Sequence, residues 1–131
     1  MDALTKYPAE ILILLFLIVT FLQSGIDKLT DWKGNLGFIT EHFKSSPLKN
    51  MVPFLLGIVL ITEIVASLFM IVGVYQIISS GVKEFAVYGI ELSALTLIFL
   101  LIGQRLAKDY AGAMTLAVYF IITIFGLYLM V

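Results

Sequence analysis

The stretch GIVLITEIVASLFM, residues 57–70, is apolar on both sides of a single carboxylate, Glu63. Whether water or lipid surrounds such a stretch decides the fold. The rest of the chain has the same character. Of its 131 residues, 61% are hydrophobic, and the mean hydropathy is +1.09. Charged residues make up 13% of the chain, about half of what a soluble domain carries. The composition therefore predicts an integral membrane protein.

The apolar residues fall into four stretches, each close to the ~20 residues that a helix needs to cross ~30 Å of hydrocarbon. The predicted spans are approximately residues 8–25, 53–78, 85–103 and 110–131. We therefore predict an all-α integral membrane fold, a four-transmembrane-helix bundle that forms a single domain over residues 1–131. We expect the first span to be retained, because the segment before it has one lysine and no cleavage site of small residues follows.

Basic residues predict how the bundle is oriented, since loops rich in lysine and arginine stay in the cytoplasm. Six of the eight basic residues lie in the first and third connections, namely Lys28, Lys33, Lys44, Lys49, Arg105 and Lys108. We therefore predict a multi-pass protein of the bacterial cytoplasmic (inner) membrane with the N- and C-termini outside.

The long connection between the first two spans is predicted to contain a short interfacial amphipathic helix at approximately residues 35–44. Leu36, Ile39 and Phe43 recur at helical spacing with polar residues opposite them, so this helix should lie on the membrane surface. Asn35 is the candidate N-cap.

The residue types also restrict the redox chemistry of the chain. Cysteine is absent, which excludes disulfides, thiolate metal sites and iron–sulfur clusters within this chain. A single histidine, His42, excludes a haem held by two histidines of one chain, and we interpret His42 as a wet surface residue. We predict no cofactor or metal site in this chain and no nucleic-acid partner. If electrons pass here, a quinone or a cofactor of a partner protein must carry them.

Polar residues within the spans are the candidate functional residues. At 1.5 Å per residue, Glu63 and Glu91 fall near the midplane, where an ionisable side chain is costly and usually functional. We predict that both glutamates are catalytic, as groups that handle protons. The residues predicted to contact a substrate lie between these acids and the inner surface: Gln23, Lys28, Arg105 and Tyr119.

A structural role for the two acids remains open. Glu63 can instead be neutral, or hydrogen-bonded to Gln23 or Tyr119, and so fix how the helices are aligned. The helix of Glu91 has a second small-residue face, formed by Gly89 and Ser93, on its other side. If the two carboxyls do face each other, only one can ionise cheaply.

Two segments of the chain resemble each other. FLQSGIDKLTDWKG, residues 21–34, and FLLIGQRLAKDYAG, residues 99–112, align without gaps. Each carries a helix end with glycine, basic residues, aspartate and an aromatic residue. Common ancestry of the two halves and simple coincidence both explain this similarity.

The chain resembles the DoxX/DoxD-like family of small four-helix membrane proteins. The resemblance rests on SGIDKLTDWKG at residues 24–34, on Glu63 and Gly73, and on RLAKDYAG at residues 105–112. The G-x-x-K-L turn after the first helix of the family corresponds to Gly25, Lys28 and Leu29. An arginine that is common in the first helix of the family is missing between residues 10 and 23, where Lys28 or Arg105 would have to replace it.

Three functions are open, of which the resemblance implies the first two. The first is a membrane subunit of a quinone-linked oxidoreductase, as in thiosulfate:quinone oxidoreductase, with Glu63 exchanging protons with the quinone. The second is a non-enzymatic partner, assembly factor or scaffold for other membrane proteins. The third, which the buried acids alone suggest, is a small proton-coupled transporter. The expected partners are membrane lipid, other protein subunits or further copies of this chain, and a quinone.

Overall fold

The computed structural model describes residues 2–131, and secondary structure in these residues is entirely helical. The helices are α1 (Asp2–Lys6), α2 (Pro8–Thr30), α3 (Trp32–His42), α4 (Val52–Ser80), α5 (Glu84–Leu106) and α6 (Tyr110–Met130). Helices α2, α4, α5 and α6 are each long and apolar enough to cross a membrane. The predicted all-α membrane bundle with four spans is therefore confirmed.

Prolines mark where two of the spans begin. Pro8 is the first residue of α2, and Pro53 lies in the first turn of α4, where the missing N–H of proline has no helical partner to lose. The first span is longer than predicted, since α2 continues past residue 25 to Thr30. Lys28 therefore lies within α2 and not in the connection that follows it.

The four spanning helices form a ring in which α4 packs on α2 and α5, and α6 packs on α5 and α2. The side chains that fill the centre are fully buried and mostly apolar, among them Leu14, Leu17, Met70, Ile77 and Ile90. Because the number of spans is even, both chain termini lie at one end of the bundle. The other end, where α3 lies, is called the α3 end below.

Small residues let α4 and α5 approach closely. A Cβ atom on Gly73 would lie 2.6 Å from backbone atoms of Ala86, and one on Gly89 would lie 2.9 Å from the backbone nitrogen of Met70. Both distances are too short for any side chain. The glycines therefore determine how these two helices cross.

A short helix, α3, lies where an amphipathic helix was predicted, but it begins three residues earlier. Its N-cap is Asp31, whose carboxylate accepts a hydrogen bond from the backbone N–H of Gly34 at 3.2 Å. The prediction that Asn35 is the cap is wrong, because its side-chain amide donates to the carbonyls of Asp27 and Asp31 instead. Asn35 thus ties the first turn of α3 to the last turn of α2.

Candidate functional site

Glu63 points from α4 into the bundle, where its partner is Lys28 of α2. The ammonium Nζ of Lys28 lies 2.9 Å from Glu63 Oε1, and the two side chains are 14% and 4% exposed. Lys28 Nζ also donates to Ser24 Oγ at 2.7 Å. A hydrogen bond from Gln23 or Tyr119 to Glu63 was the structural alternative, and the structure has an ion pair with Lys28 in its place.

The G-x-x-K spacing explains how Lys28 comes to face Glu63. Residues three apart lie on the same face of a helix, so Gly25 and Lys28 both point towards α4. At Gly25 the two helices are close, since a Cβ there would lie 2.6 Å from Ile64 Cδ1 and 3.9 Å from Glu63 Cβ. The glycine brings the helices together, and the lysine one turn later reaches across the contact.

The oxygen of Glu63 that meets Lys28, Oε1, makes an ion pair without regular hydrogen-bond geometry. Oε1 is buried, and no donor in the described part of the chain meets hydrogen-bond geometry with it. Lys28 Nζ lies within ion-pair distance, but in a direction that does not make a hydrogen bond. The buried Oε1 is therefore compensated by the charge of Lys28, and a ligand that reaches Lys28 also comes close to this carboxylate.

A small cavity of about 240 Å³ lies beside Glu63, towards the middle of the bundle. Its polar lining comes from Thr20, Ser24, Glu63 and Tyr119, and the rest is apolar. Tyr119 is therefore brought to the same cavity as Glu63, as the depth estimate suggested, although the two do not touch through a hydrogen bond.

A larger cavity of about 570 Å³ lies beneath α3, between α4 and α5 and close to the start of α6. We call it the α3 cavity. Most of its walls are apolar, and its polar lining residues are Lys28, Asn35, His42, Gln104 and Asp109.

The Lys28–Glu63 ion pair lies where the two cavities meet. Lys28 lines the α3 cavity and Glu63 lines the small one, while Leu100 and Leu116 line both. A ligand in the α3 cavity would therefore contact the ammonium of Lys28, and through it the carboxylate of Glu63.

His42 holds together the polar side of the α3 cavity. Its Nε2 lies 2.8 Å from Gln104 Oε1 and 3.4 Å from Asp109 Oδ2. Both neighbours are oxygens that accept hydrogen bonds, so Nε2 carries a proton. The ring also stacks on Phe38, with centroids 6.0 Å apart. With its side chain 23% exposed, His42 is half-buried and has polar partners, which its interpretation as a wet surface residue did not foresee.

His42, Gln104 and Asp109 form what we call the His42 cluster. Asp109 connects this cluster to α6, because its other carboxylate oxygen caps that helix. Oδ1 accepts a hydrogen bond from the backbone N–H of Gly112 at 2.9 Å. The capping pattern D-x-x-G is visible in the sequence, but its link to His42 is not. That link joins residues far apart in the chain, which helical periodicity cannot reveal.

Three of the predicted site residues lie away from these cavities. Gln23, Glu91 and Arg105 are all exposed on the outside of the bundle. The guanidinium of Arg105 lies over the ring of Tyr110, 5.1 Å from its centroid. The two glutamates therefore do not face each other, since the buried face of α5 is the one that carries Gly89 and Ser93.

Comparison with protein families gave one finding. The model of the DoxX family matches residues 11–103, a range that contains Gly25, Lys28 and Glu63. Comparisons with curated proteins and with solved structures gave no match.

Proposed function

The chain belongs to the DoxX family, and we propose that it is a membrane subunit of a quinone-linked oxidoreductase complex that binds the quinone in the α3 cavity. The observation that carries the proposal is this cavity, which joins the His42 cluster to the Lys28–Glu63 ion pair within largely apolar walls. The proposed location is the bacterial cytoplasmic membrane.

The residues present fit a quinone. The volume of about 570 Å³ falls within the 300–1,000 Å³ that is usual for small-molecule sites, which are mostly apolar with a few polar groups. A quinone has an apolar ring and tail and two carbonyl oxygens that accept hydrogen bonds. Donors are available from Lys28 Nζ and the amide nitrogen of Gln104, whose oxygen lies beside His42.

A bound quinone supplies two-electron chemistry that also takes up or releases two protons. In this proposal the electrons come from a partner subunit, and this chain orients the ring and handles protons. His42, beside Asp109, exchanges protons at the α3 end. Lys28 and Glu63 form the inner proton site, which together with His42 delivers the two protons that the reduced quinone takes up. Lys28 also provides the cation that the missing arginine supplies in other members of the family.

The experiment is a binding titration with a matched pair of glutamine variants. The purified protein in nanodiscs is titrated with a short-chain ubiquinone and a short-chain menaquinone, and binding is followed by equilibrium dialysis. Gln104→Leu removes a polar group that lines the cavity, and we expect it to weaken binding about two- to tenfold, the value of one hydrogen bond. Gln23→Leu makes the same chemical change on the outside of α2 and should leave the dissociation constant unchanged.

Two outcomes contradict the proposal. One is the absence of saturable binding of either quinone. The other is that Gln104→Leu and Gln23→Leu bind quinone equally well, which indicates partitioning into lipid or a site other than the α3 cavity. A quinone-free protein that co-purifies stoichiometrically with another membrane protein would favour the scaffold function. No observation favours a transporter, because Glu63 and Glu91 line no common cavity.

A further inference from the structure

The outward face of α5 carries an acid at a depth where the surroundings are apolar. At 1.5 Å per residue, Glu91 lies about 10 Å along α5 from its first residue, Glu84. Its side chain is exposed on the surface of the bundle. Among residues 2–131, no ion pair or hydrogen bond reaches it. A carboxyl group that faces hydrocarbon without a partner is costly, so something outside this chain must cover it.

The residues around Glu91 form a continuous surface for a second helix. Exposed residues of α5 follow one another at steps of three and four, and we call this surface the α5 stripe: Tyr88, Glu91, Leu95, Ile98 and Ile102. Alternating steps of three and four give a period of 3.5 residues, the spacing along the contact line of two helices that pack as a left-handed pair.

We propose that the α5 stripe binds the α5 stripe of a second copy of this chain, so that two Glu91 side chains meet in the membrane. Copies of a membrane protein inserted in the same orientation place identical residues at identical depth. A two-fold axis along the membrane normal beside α5 therefore brings one Glu91 opposite the other. Two carboxylic acids in their protonated form satisfy each other, because each donates one hydrogen bond and accepts one.

Chemistry favours a second copy over an unrelated protein. A different partner would need its own polar group at the depth of Glu91, whereas a second copy supplies one of necessity. The isologous contact is also the commonest form of oligomer. Polar side chains within apolar helix contacts fix the alignment of the helices, so Glu91 determines which positions along α5 face each other. This inference does not rest on quinone binding.

The absence of cysteine allows a clean cross-linking test in membranes. Leu95→Cys lies on the α5 stripe at a residue that is 58% exposed, and Ile121→Cys lies on α6 at a residue that is 68% exposed. α5 and α6 run in opposite directions, but each position lies about 16 Å from the first residue of its helix and so near the middle, which places the two thiols at similar depth. With a short bifunctional thiol reagent, Leu95→Cys should give a cross-linked dimer and Ile121→Cys only random background.

Variants of Glu91 in the Leu95→Cys protein then test the role of the acid. Glu91→Gln retains a group that both donates and accepts, and should keep the dimer. Glu91→Leu removes the hydrogen bonds and should weaken association about three- to thirtyfold, measured as the protein-to-lipid ratio at half-maximal cross-linking.

Three results would overturn the proposal. The first is that Leu95→Cys fails to cross-link, or that it cross-links only to other proteins. The second is equal yield from Leu95→Cys and Ile121→Cys. The third is that Glu91→Leu associates as strongly as the parent, since the acid would then have no part in the contact. Circular dichroism of each purified variant establishes that a loss of cross-linking does not reflect unfolding.

Discussion

The Lys28–Glu63 pair shows why a carboxylate is tolerated within an apolar segment. Either charge alone would be expensive at this depth, but the opposite charge at 2.9 Å offsets much of the cost of leaving water. Such pairs add little net stability compared with apolar residues of the same size, whereas removal of one partner is strongly destabilising. The pair therefore fixes how α2 aligns with α4, and it retains charged groups that a purely apolar contact would lack.

We predict strong coupling between these two residues. Lys28→Met and Glu63→Leu should each lower the free energy of unfolding by about 3–5 kcal/mol, because each leaves a buried charge without its partner. The double variant should lose far less than the sum of the two single losses. Unfolding in mixed micelles by denaturing detergent measures all three values as a double-mutant cycle.

The exposed pair of Lys44 and Glu41 is the control for this cycle. Their side chains are 66% and 72% exposed, and the hydrogen bond from Lys44 to Glu41, together with the charge of Glu41, raises the pKa of Lys44. Water screens a pair of this kind, so Lys44→Met should leave unfolding unchanged. Additive losses at Lys28 and Glu63 would mean that their contact contributes nothing to the fold.

At the scale of helices, the repeated sequence pattern has a physical meaning. In both repeats an aspartate caps the helix that follows it and bonds to a glycine three residues on, Asp31 to Gly34 and Asp109 to Gly112. A Cβ on Gly34 or on Gly112 would collide with the capping carboxylate. The repeated aspartate and glycine therefore let a new helix begin soon after the previous one ends, whether or not the two halves share an ancestor.

The extent of the helices could be predicted from the sequence more fully than the direction of their side chains. Span length and apolarity are local properties, and all four spans followed from them. Gln23 and Lys28 were both predicted to contact a substrate, but residues five apart are separated by about 140° around a helix. Only Lys28 faces Glu63. The contact of His42 with Gln104 joins α3 to α5, and no local pattern encodes which side chains meet across a cavity.

Helix packing gives a second prediction, which concerns the glycines of α4. Gly73→Ala places a Cβ 2.6 Å from the backbone of Ala86, so α4 and α5 must move apart. Overpacking of this kind costs about 1–3 kcal/mol. Gly57→Ala is the matched change on the same helix, with no neighbouring atom within 4 Å, and it should be neutral or slightly stabilising. The same detergent unfolding assay compares them, and equal effects would show that the close approach at Gly73 is not needed.

At the scale of the whole molecule, polar chemistry concentrates at one end of the bundle. The α3 cavity, the His42 cluster and the Lys28–Glu63 pair are all formed by residues at the α3 end or in the helix turns nearest to it. Six of the eight basic residues lie at this end, in the last turns of α2 and α5 or in the segments that follow them. If that end faces the cytoplasm, protons and protein partners reach the α3 cavity from the cytoplasm.

Orientation in the membrane is the prediction that decides this point. Ser45 is exposed in the connection at the α3 end and Ser80 is exposed at the opposite end, whereas the neighbouring Ser46 is only 4% exposed and unsuited to labelling. Because basic connections stay in the cytoplasm, Ser80→Cys should react with a membrane-impermeant maleimide in intact cells. Ser45→Cys should react only after the membrane is permeabilised. The parent protein has no cysteine and measures the background. Labelling of Ser45→Cys in intact cells with protection of Ser80→Cys would reverse the orientation, and the α3 cavity would then exchange its ligand and protons with the outer side of the membrane.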